Sequence, residues 1–220
     1  MASFTAIASQ VEAMQRPVRW QPIYLVDRML APLLLFAMTP VICAVALLAW
    51  FLSRRSPFVA HQRVGQHGEL LWMLKLRTMW TLGKGPWQMR LVENVTDQPA
   101  ALGKEAFDDR VTSRFARICR QYSLDELPQL WHVVRGQMAL IGPRPITRLE
   151  LATHYGDAAP EVLRLRPGLS GLWQVMGRSR LSYRQRRRLD VFLARHFTLG
   201  LYLWTLWRTI PCAIRGADSW

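Results

Sequence analysis

Apolar and polar positions change rhythm along the chain. From Met29 to Leu52 every residue except Thr39 is apolar, a run long enough to cross a bilayer, for which about 20 residues are needed. A signal peptide competes, with Ala44-Val45-Ala46 as its cleavage site, but the apolar run continues through Leu52, beyond a signal core of about 7–15 residues. Pro40 lies mid-run after Thr39 and lacks the N–H a helix needs, so it predicts a break or kink. After Ser56 the pattern shortens: Phe58-Val59-Ala60 and Glu69 to Leu76 read as extended segments around Gly65 and Gly68. Residues 81–107 hold scattered Gly and Pro without a period and read as a loop-rich segment with short helical pieces. Arg114 to Arg120, Leu127 to Val134 and Glu150 to Arg164 read as helices, the last with a break near Pro160. Phe197 to Trp207 is too short to span and, between Arg195 and Arg208, reads as an interfacial helix.

Charge sharpens this picture. Both flanks of the apolar run are basic: Arg16, Arg19 and Arg28 before it, Arg54 and Arg55 after it. The positive-inside tendency draws both ends to one face, so a helix broken at Thr39-Pro40 enters and leaves by the same leaflet. The Thr39 hydroxyl would satisfy a carbonyl freed at the break. A kinked single span is the alternative. The chain of 220 residues carries a formal charge of +14 and ten Trp, and Trp favours membrane interfaces. An excess of Arg over Lys suits bidentate contact with phosphate. Nucleic acid would share the charge, but no groove-entry element is evident. Arg178, Arg180, Arg184, Arg186, Arg187 and Arg188 read as a solvated helix face or as contacts with anionic lipid headgroups. Cys43, Cys119 and Cys212 have no metal-ligand or disulfide spacing, in keeping with a reducing compartment.

The chemistry concentrates in Ser123-Leu124-Asp125-Glu126-Leu127-Pro128-Gln129-Leu130. Ser123 and Glu126 match a capping box, while Pro128 at a first helical position would start the helix later. In either register Asp125 and Glu126 sit near a helix N-terminus, which keeps Asp125 ionised as a nucleophile or metal ligand. The plain alternative is that they only cap. Downstream come Gly142-Pro143-Arg144-Pro145, a rigid loop presenting one Arg, and Arg166-Pro167-Gly168-Leu169-Ser170-Gly171-Leu172-Trp173-Gln174. Upstream is Lys75-Leu76-Arg77-Thr78-Met79.

This ordered set, from about Tyr24 to about Ile214, resembles the bacterial sugar transferases, the monotopic phosphoglycosyl transferases that load a phosphosugar onto polyprenyl phosphate. The resemblance implies an α+β, mostly helical fold: lead-in 1–22, re-entrant membrane hairpin 23–55, catalytic domain 56–190, and an amphipathic interfacial region 191–220. It implies the cytoplasmic face of a bacterial inner membrane. Asp125 would be the nucleophile and Glu126 its partner, the two holding Mg²⁺. Lys75, Arg77, Arg120, Arg144, Arg166, Gln174, Arg178 and Asp190 would bind substrate. The implied partners are a UDP-sugar, polyprenyl phosphate and an anionic membrane surface, with no nucleic acid. The family has Ser-Pro where this chain has Thr39-Pro40. It commonly has Asn, Asp and Ser at His132, Gln137 and Ala139, which puts local hydrogen bonds in question. His132 reads as a structural polar residue.

Overall fold

The structure is a computed structural model that describes residues 21–78, 90–92, 113–178 and 181–215. Residues 1–20 of the lead-in, all of segment 81–107 except 90–92, residues 109–112, Met79 and Arg180 lie outside the described residues. The fold is mostly helical with small sheets.

Helix α1 (Gln21–Ser53) is one continuous helix with Pro32 and Pro40 inside it. The break expected at Thr39-Pro40 is therefore corrected: helical hydrogen bonding resumes across the proline. Thr39 Oγ1 donates to Leu35 O at 2.7 Å, one residue before the Phe36 carbonyl that Pro40 leaves free. Ile23 and Tyr24 join a core with Ala139, Ile141, Leu193 and Tyr202. Ala31, with Leu35 and Met38, packs on Leu71, Met73, Leu130 and Val133. Val45 packs on Leu76 and Cys119. The buried positions Tyr24, Asp27, Ala31, Val45, Ala49 and Ser53 recur at helical spacing, so one face of α1 is core. The other face exposes Leu25, Met29, Leu33, Phe36, Leu47 and Phe51.

Strands β1 (Phe58–Val64) and β2 (Leu70–Leu76) pair antiparallel, Phe58 opposite Leu76 and Val64 opposite Leu70. The turn between them carries His67 and Gly68 at positive φ. β3 (Arg90–Val92) adds to β1 in parallel, so the loop-rich segment contains a strand. β2 is an edge, and His132 engages it. The Leu74 N–H donates to His132 Nε2 at 3.1 Å, while Nδ1 lies 2.8 Å from Gln137 Oε1. Burial holds the imidazole pKa down, and a neutral ring fits this structural role.

α2 (Arg114–Gln121) is capped by Ser113, whose side chain accepts from Ala116 N. A 3-10 turn, Leu124–Gln129, leads into α3 (Leu130–Val134). β4 (Ala139–Ile141) then pairs in parallel with β5 (Gly168–Ser170). Between them, α4 (Arg148–Glu150) runs on as a wide turn to Tyr155 and bends at Gly156, φ 47°. α5 (Ala159–Val162) follows with Pro160 in its first turn. The break expected near Pro160 thus falls at Gly156, and the proline starts a helix. The capping box absent at Ser123 occurs at Thr147 with Glu150. α6 (Leu172–Met176), α7 (Tyr183–Arg195) and α8 (Leu199–Arg215) complete the chain. α8 runs beyond the Trp207 expected as its end; Leu199, Leu203, Trp204, Trp207, Ile210 and Ile214 are exposed while Tyr202 and Thr205 are buried, which gives it an exposed apolar face.

Candidate active site

The dyad is not at the start of an α-helix. Ser123 is left-handed, φ 55°, and makes no side-chain cap bond. Both capping readings are therefore corrected: Asp125 and Glu126 sit on the 3-10 turn, with Pro128 inside it and α3 starting at Leu130. Ser123 in this conformation is strained. So is Arg178, φ 48°, and Arg178 Nη2 donates to Ser123 Oγ at 3.2 Å.

The turn packs against β2 and brings Lys75 to the dyad. Lys75 Nζ donates to Glu126 Oε1 at 2.8 Å, both groups half-buried. Burial pushes the Asp125 carboxyl up to about 6; Lys75 opposes the rise, Glu126 adds to it, and Arg120 opposes it. Burial also pulls Glu126 upward, but the charge and hydrogen bond of Lys75, with Arg144 and Arg178, hold it below its ordinary value. Two adjacent carboxylates thus differ in basicity: Glu126 stays ionised as an ion-pair partner, and Asp125 is the more basic of the two.

Lys75, Arg120, Arg144 and Arg178 are therefore brought together around the dyad. The other expected contacts are placed differently. Arg77 is buried at the end of β2, its Nε donating to Ser56 O at 2.7 Å, because the turn from α1 to β1 wraps it. Gln174 donates through Nε2 to Leu169 O at 3.0 Å and braces its own loop. Arg166 sits over the Tyr24 ring at 4.3 Å, its Nε donating to Gln66 Oε1 at 3.3 Å; it is not among the charges acting on the dyad. Asp190 is 0% exposed. It accepts from Tyr155 Oη at 2.7 Å and from the Arg144 N–H at 3.4 Å. It holds the Arg144 loop from beneath.

Arg144 is also fixed from the side, its guanidinium 4.8 Å from the centre of the Trp173 ring. Arg186 lies over the same ring at 5.2 Å. The glycines of the two loops serve close backbone packing. A Cβ on Gly142 would overlap Arg166 O, one on Gly168 would overlap Gly142 N, and one on Gly171 would overlap Gly142 O. The Arg144 loop and the Arg166-Pro167-Gly168 turn meet there backbone to backbone. Tyr155, Trp173 and Arg186 support this arrangement but are not among the site residues to which the sequence points. The Trp173 position beside Gln174 was the signal available for one of them; Tyr155 carries no local motif.

Among the described residues no three His, Cys, Asp or Glu converge as a metal cage. Asp125 and Glu126 nevertheless fit Mg²⁺, which is commonly held by one or two carboxylates and completed by substrate phosphate and water.

A family model described as bacterial sugar transferase matches residues 21–216. The exopolysaccharide production protein ExoY of Sinorhizobium fredii is 37% identical over 198 residues, covering 87% of this chain and 85% of the relative. A UDP-glucose:undecaprenyl-phosphate glucose-1-phosphate transferase of Caulobacter vibrioides is 35% identical over 198 residues, covering 86% and 66%. The undecaprenyl-phosphate galactose phosphotransferase of Salmonella typhimurium is 38% identical over 163 residues, covering 71% of this chain but 32% of that longer protein. With a family match across almost its whole length and a dyad set among four cations, the chain belongs to the bacterial sugar transferases and is a sugar-transferring enzyme.

Proposed function

We propose that the protein transfers a sugar-1-phosphate from a UDP-sugar to polyprenyl phosphate, the first membrane step in assembling an exopolysaccharide or related glycan. The observation that carries this reading is the unequal dyad: a basic Asp125 beside an ionised Glu126, ringed by Lys75, Arg120, Arg144 and Arg178. Attack by a carboxylate on a diphosphate brings anions together, and the four cations offset that repulsion.

An Asp125 oxygen attacks the β-phosphorus of the UDP-sugar. The bond from that phosphorus to the bridging oxygen breaks, and UMP leaves with the electron pair. The phosphosugar remains esterified to Asp125. A polyprenyl phosphate oxygen then attacks the same phosphorus, the bond to Asp125 breaks, and the carboxylate returns with a polyprenyl diphosphate sugar as product. Arg144, held by Asp190 below and Trp173 beside it, orients phosphate oxygens. Lys75 keeps Glu126 ionised and placed. Mg²⁺ bound by Asp125 and Glu126 would supply further neutralisation of the diphosphate.

The exposed apolar faces of α1 and α8 suit a protein resting on the membrane, its active site at headgroup level. Both ends of α1 pack on the same body, which supports a monotopic attachment at the cytoplasmic face of the inner membrane. Incubating purified protein with a panel of UDP-sugars, polyprenyl phosphate and Mg²⁺ tests the reaction. UMP formation matched by lipid-linked sugar is expected. UMP and free sugar phosphate accumulating stoichiometrically without the lipid would indicate a diphosphatase instead.

A further inference from the structure

The apolar helices meet the body at Asp27. This carboxylate, 1% exposed, accepts from Tyr202 Oη of α8 at 2.6 Å and from the Leu140 N–H at 3.2 Å. Beside that junction α3 ends at Gly136, φ 75°, a left-handed position that glycine adopts freely. A Cβ there would lie 3.4 Å from Arg28 Nη2 and 3.5 Å from Arg166 Nη1. Guanidinium groups from α1 and from the turn before β5 therefore converge on one glycine, next to the exposed Arg135. The Asp27 carboxylate attracts Arg166 from inside the junction, and an anion placed between Arg28 and Arg166 would offset their mutual repulsion.

Arg166 is held ready. Its plane lies on Tyr24, its Nε bonds Gln66, and its backbone N–H donates to Tyr24 Oη at 3.1 Å. Among the described residues neither its Nη groups nor Arg28 forms an ion pair with a carboxylate. Arg28 sits where the lipid-facing surface begins, flanked by Leu25, 60% exposed, and Met29, 68% exposed. Leu199 and Leu203, exposed on either side of Tyr202 in α8, continue that apolar surface around the junction.

We propose that Arg28 and Arg166 form a binding site for the phosphate of an anionic phospholipid headgroup, separate from the Asp125–Glu126 site. Paired guanidinium groups suit the oxygens of a phosphodiester. The apolar surface on both sides receives the acyl chains, and headgroup level is where such a phosphate lies. The site ties the start of α1, the end of α3 and the turn into β5 to the membrane surface. It depends on membrane attachment and not on the transfer reaction.

The test is native mass spectrometry of the full chain in detergent, titrated with phosphatidylglycerol and, in parallel, phosphatidylcholine. Wild type retains phosphatidylglycerol in preference. Arg28→Gln/Arg166→Gln weakens that retention about tenfold, as loss of charge-assisted contacts should. Arg28→Gln alone, at an exposed side chain whose loss leaves the fold intact, weakens it about threefold. Arg187→Gln/Arg188→Gln removes equal charge from the exposed side of α7 and leaves retention unchanged. Equal losses in the two double variants would mean general electrostatic attraction and overturn the site. So would unchanged retention in Arg28→Gln and Arg28→Gln/Arg166→Gln. Displacement of the lipid by millimolar inorganic phosphate would overturn the lipid assignment.

Discussion

Asp125 and Glu126 are neighbours in the chain and are separated in basicity by what each touches. Glu126 has the Lys75 ammonium at 2.8 Å; Asp125, half-buried beside Glu126, is pushed up to about 6 by its partial burial. Attack requires the ionised form, so activity rises as pH passes upward through that value. The pH profile of kcat/KM should show an acid limb near 6, falling about tenfold per unit below it. Asp125→Asn keeps the shape without the anion and should lower kcat by at least about a thousandfold, with fold and membrane binding retained. Turnover within tenfold of wild type would remove Asp125 from the nucleophile role. Arg144→Ala should lower kcat/KM by roughly 1.5–3 kcal/mol, about ten- to a hundredfold, as loss of a charge-assisted contact. Asp190 supports a separate test. Burial raises its carboxyl to about 7, opposed by the Tyr155 hydrogen bond and the Arg144 N–H. A raised carboxylate stabilises the fold most below its unfolded value of about 4, and that stability is lost as pH rises through 7. Thermal unfolding of Asp190→Asn should therefore decline less between pH 4 and 8 than wild type.

At the scale of elements, two parallel strands bring the Arg144 loop against the Arg166-Pro167-Gly168 turn, and glycines make the approach possible. Gly168→Ala would place a methyl group on Gly142 N. It should destabilise by roughly 1–3 kcal/mol or more, visible as a lower Tm in detergent, because backbone on both sides cannot retreat. An unchanged Tm would mean that the loops yield. Much of this was legible in the sequence: β1 and β2 from their apolar runs and turn, α2 from its position, and the dyad with Lys75, Arg120, Arg144 and Arg178 from the ordered motifs. What escaped has a common cause in tertiary contact. The sequence offers a capping box at Ser123, but the Arg178 bond and the packing of the turn on β2 favour a left-handed Ser123 and a 3-10 turn. Asp190 and Arg166 lie in or near recognisable motifs, yet burial turns one under the Arg144 loop and the Tyr24 ring draws the other away. Tyr155, which bonds Asp190, lies 35 residues from it in the chain and has no local signature.

On the scale of the whole molecule, α1 is at once a membrane-type helix and a core element. It is long and apolar enough to cross a bilayer by length and composition. Yet Tyr24 and Asp27 near one end, and Ala49 and Ser53 near the other, are buried against the same body. A helix of 33 residues runs about 50 Å at 1.5 Å per residue, more than a hydrocarbon core of about 30 Å. A perpendicular span would carry one end to the far side, away from the body that end packs on. On the proposed monotopic attachment the buried face stays with the body while the opposite face enters one leaflet. The basic flanks oppose translocation of either end. Single cysteines at positions 10 and 62, in a background without Cys43, Cys119 and Cys212, test this in intact cells with an impermeant thiol reagent. Neither should label in the wild type. Labelling at position 10 as complete as at a periplasmic control would establish a span and defeat the monotopic reading. Pro40→Ala adds the hydrogen bond that proline withholds. Because the helix already continues through Pro40 and packing on the body fixes both of its ends, that variant should leave position 10 unlabelled. Labelling that appears only in Pro40→Ala would show that the proline, rather than the packed face, keeps the helix in one leaflet.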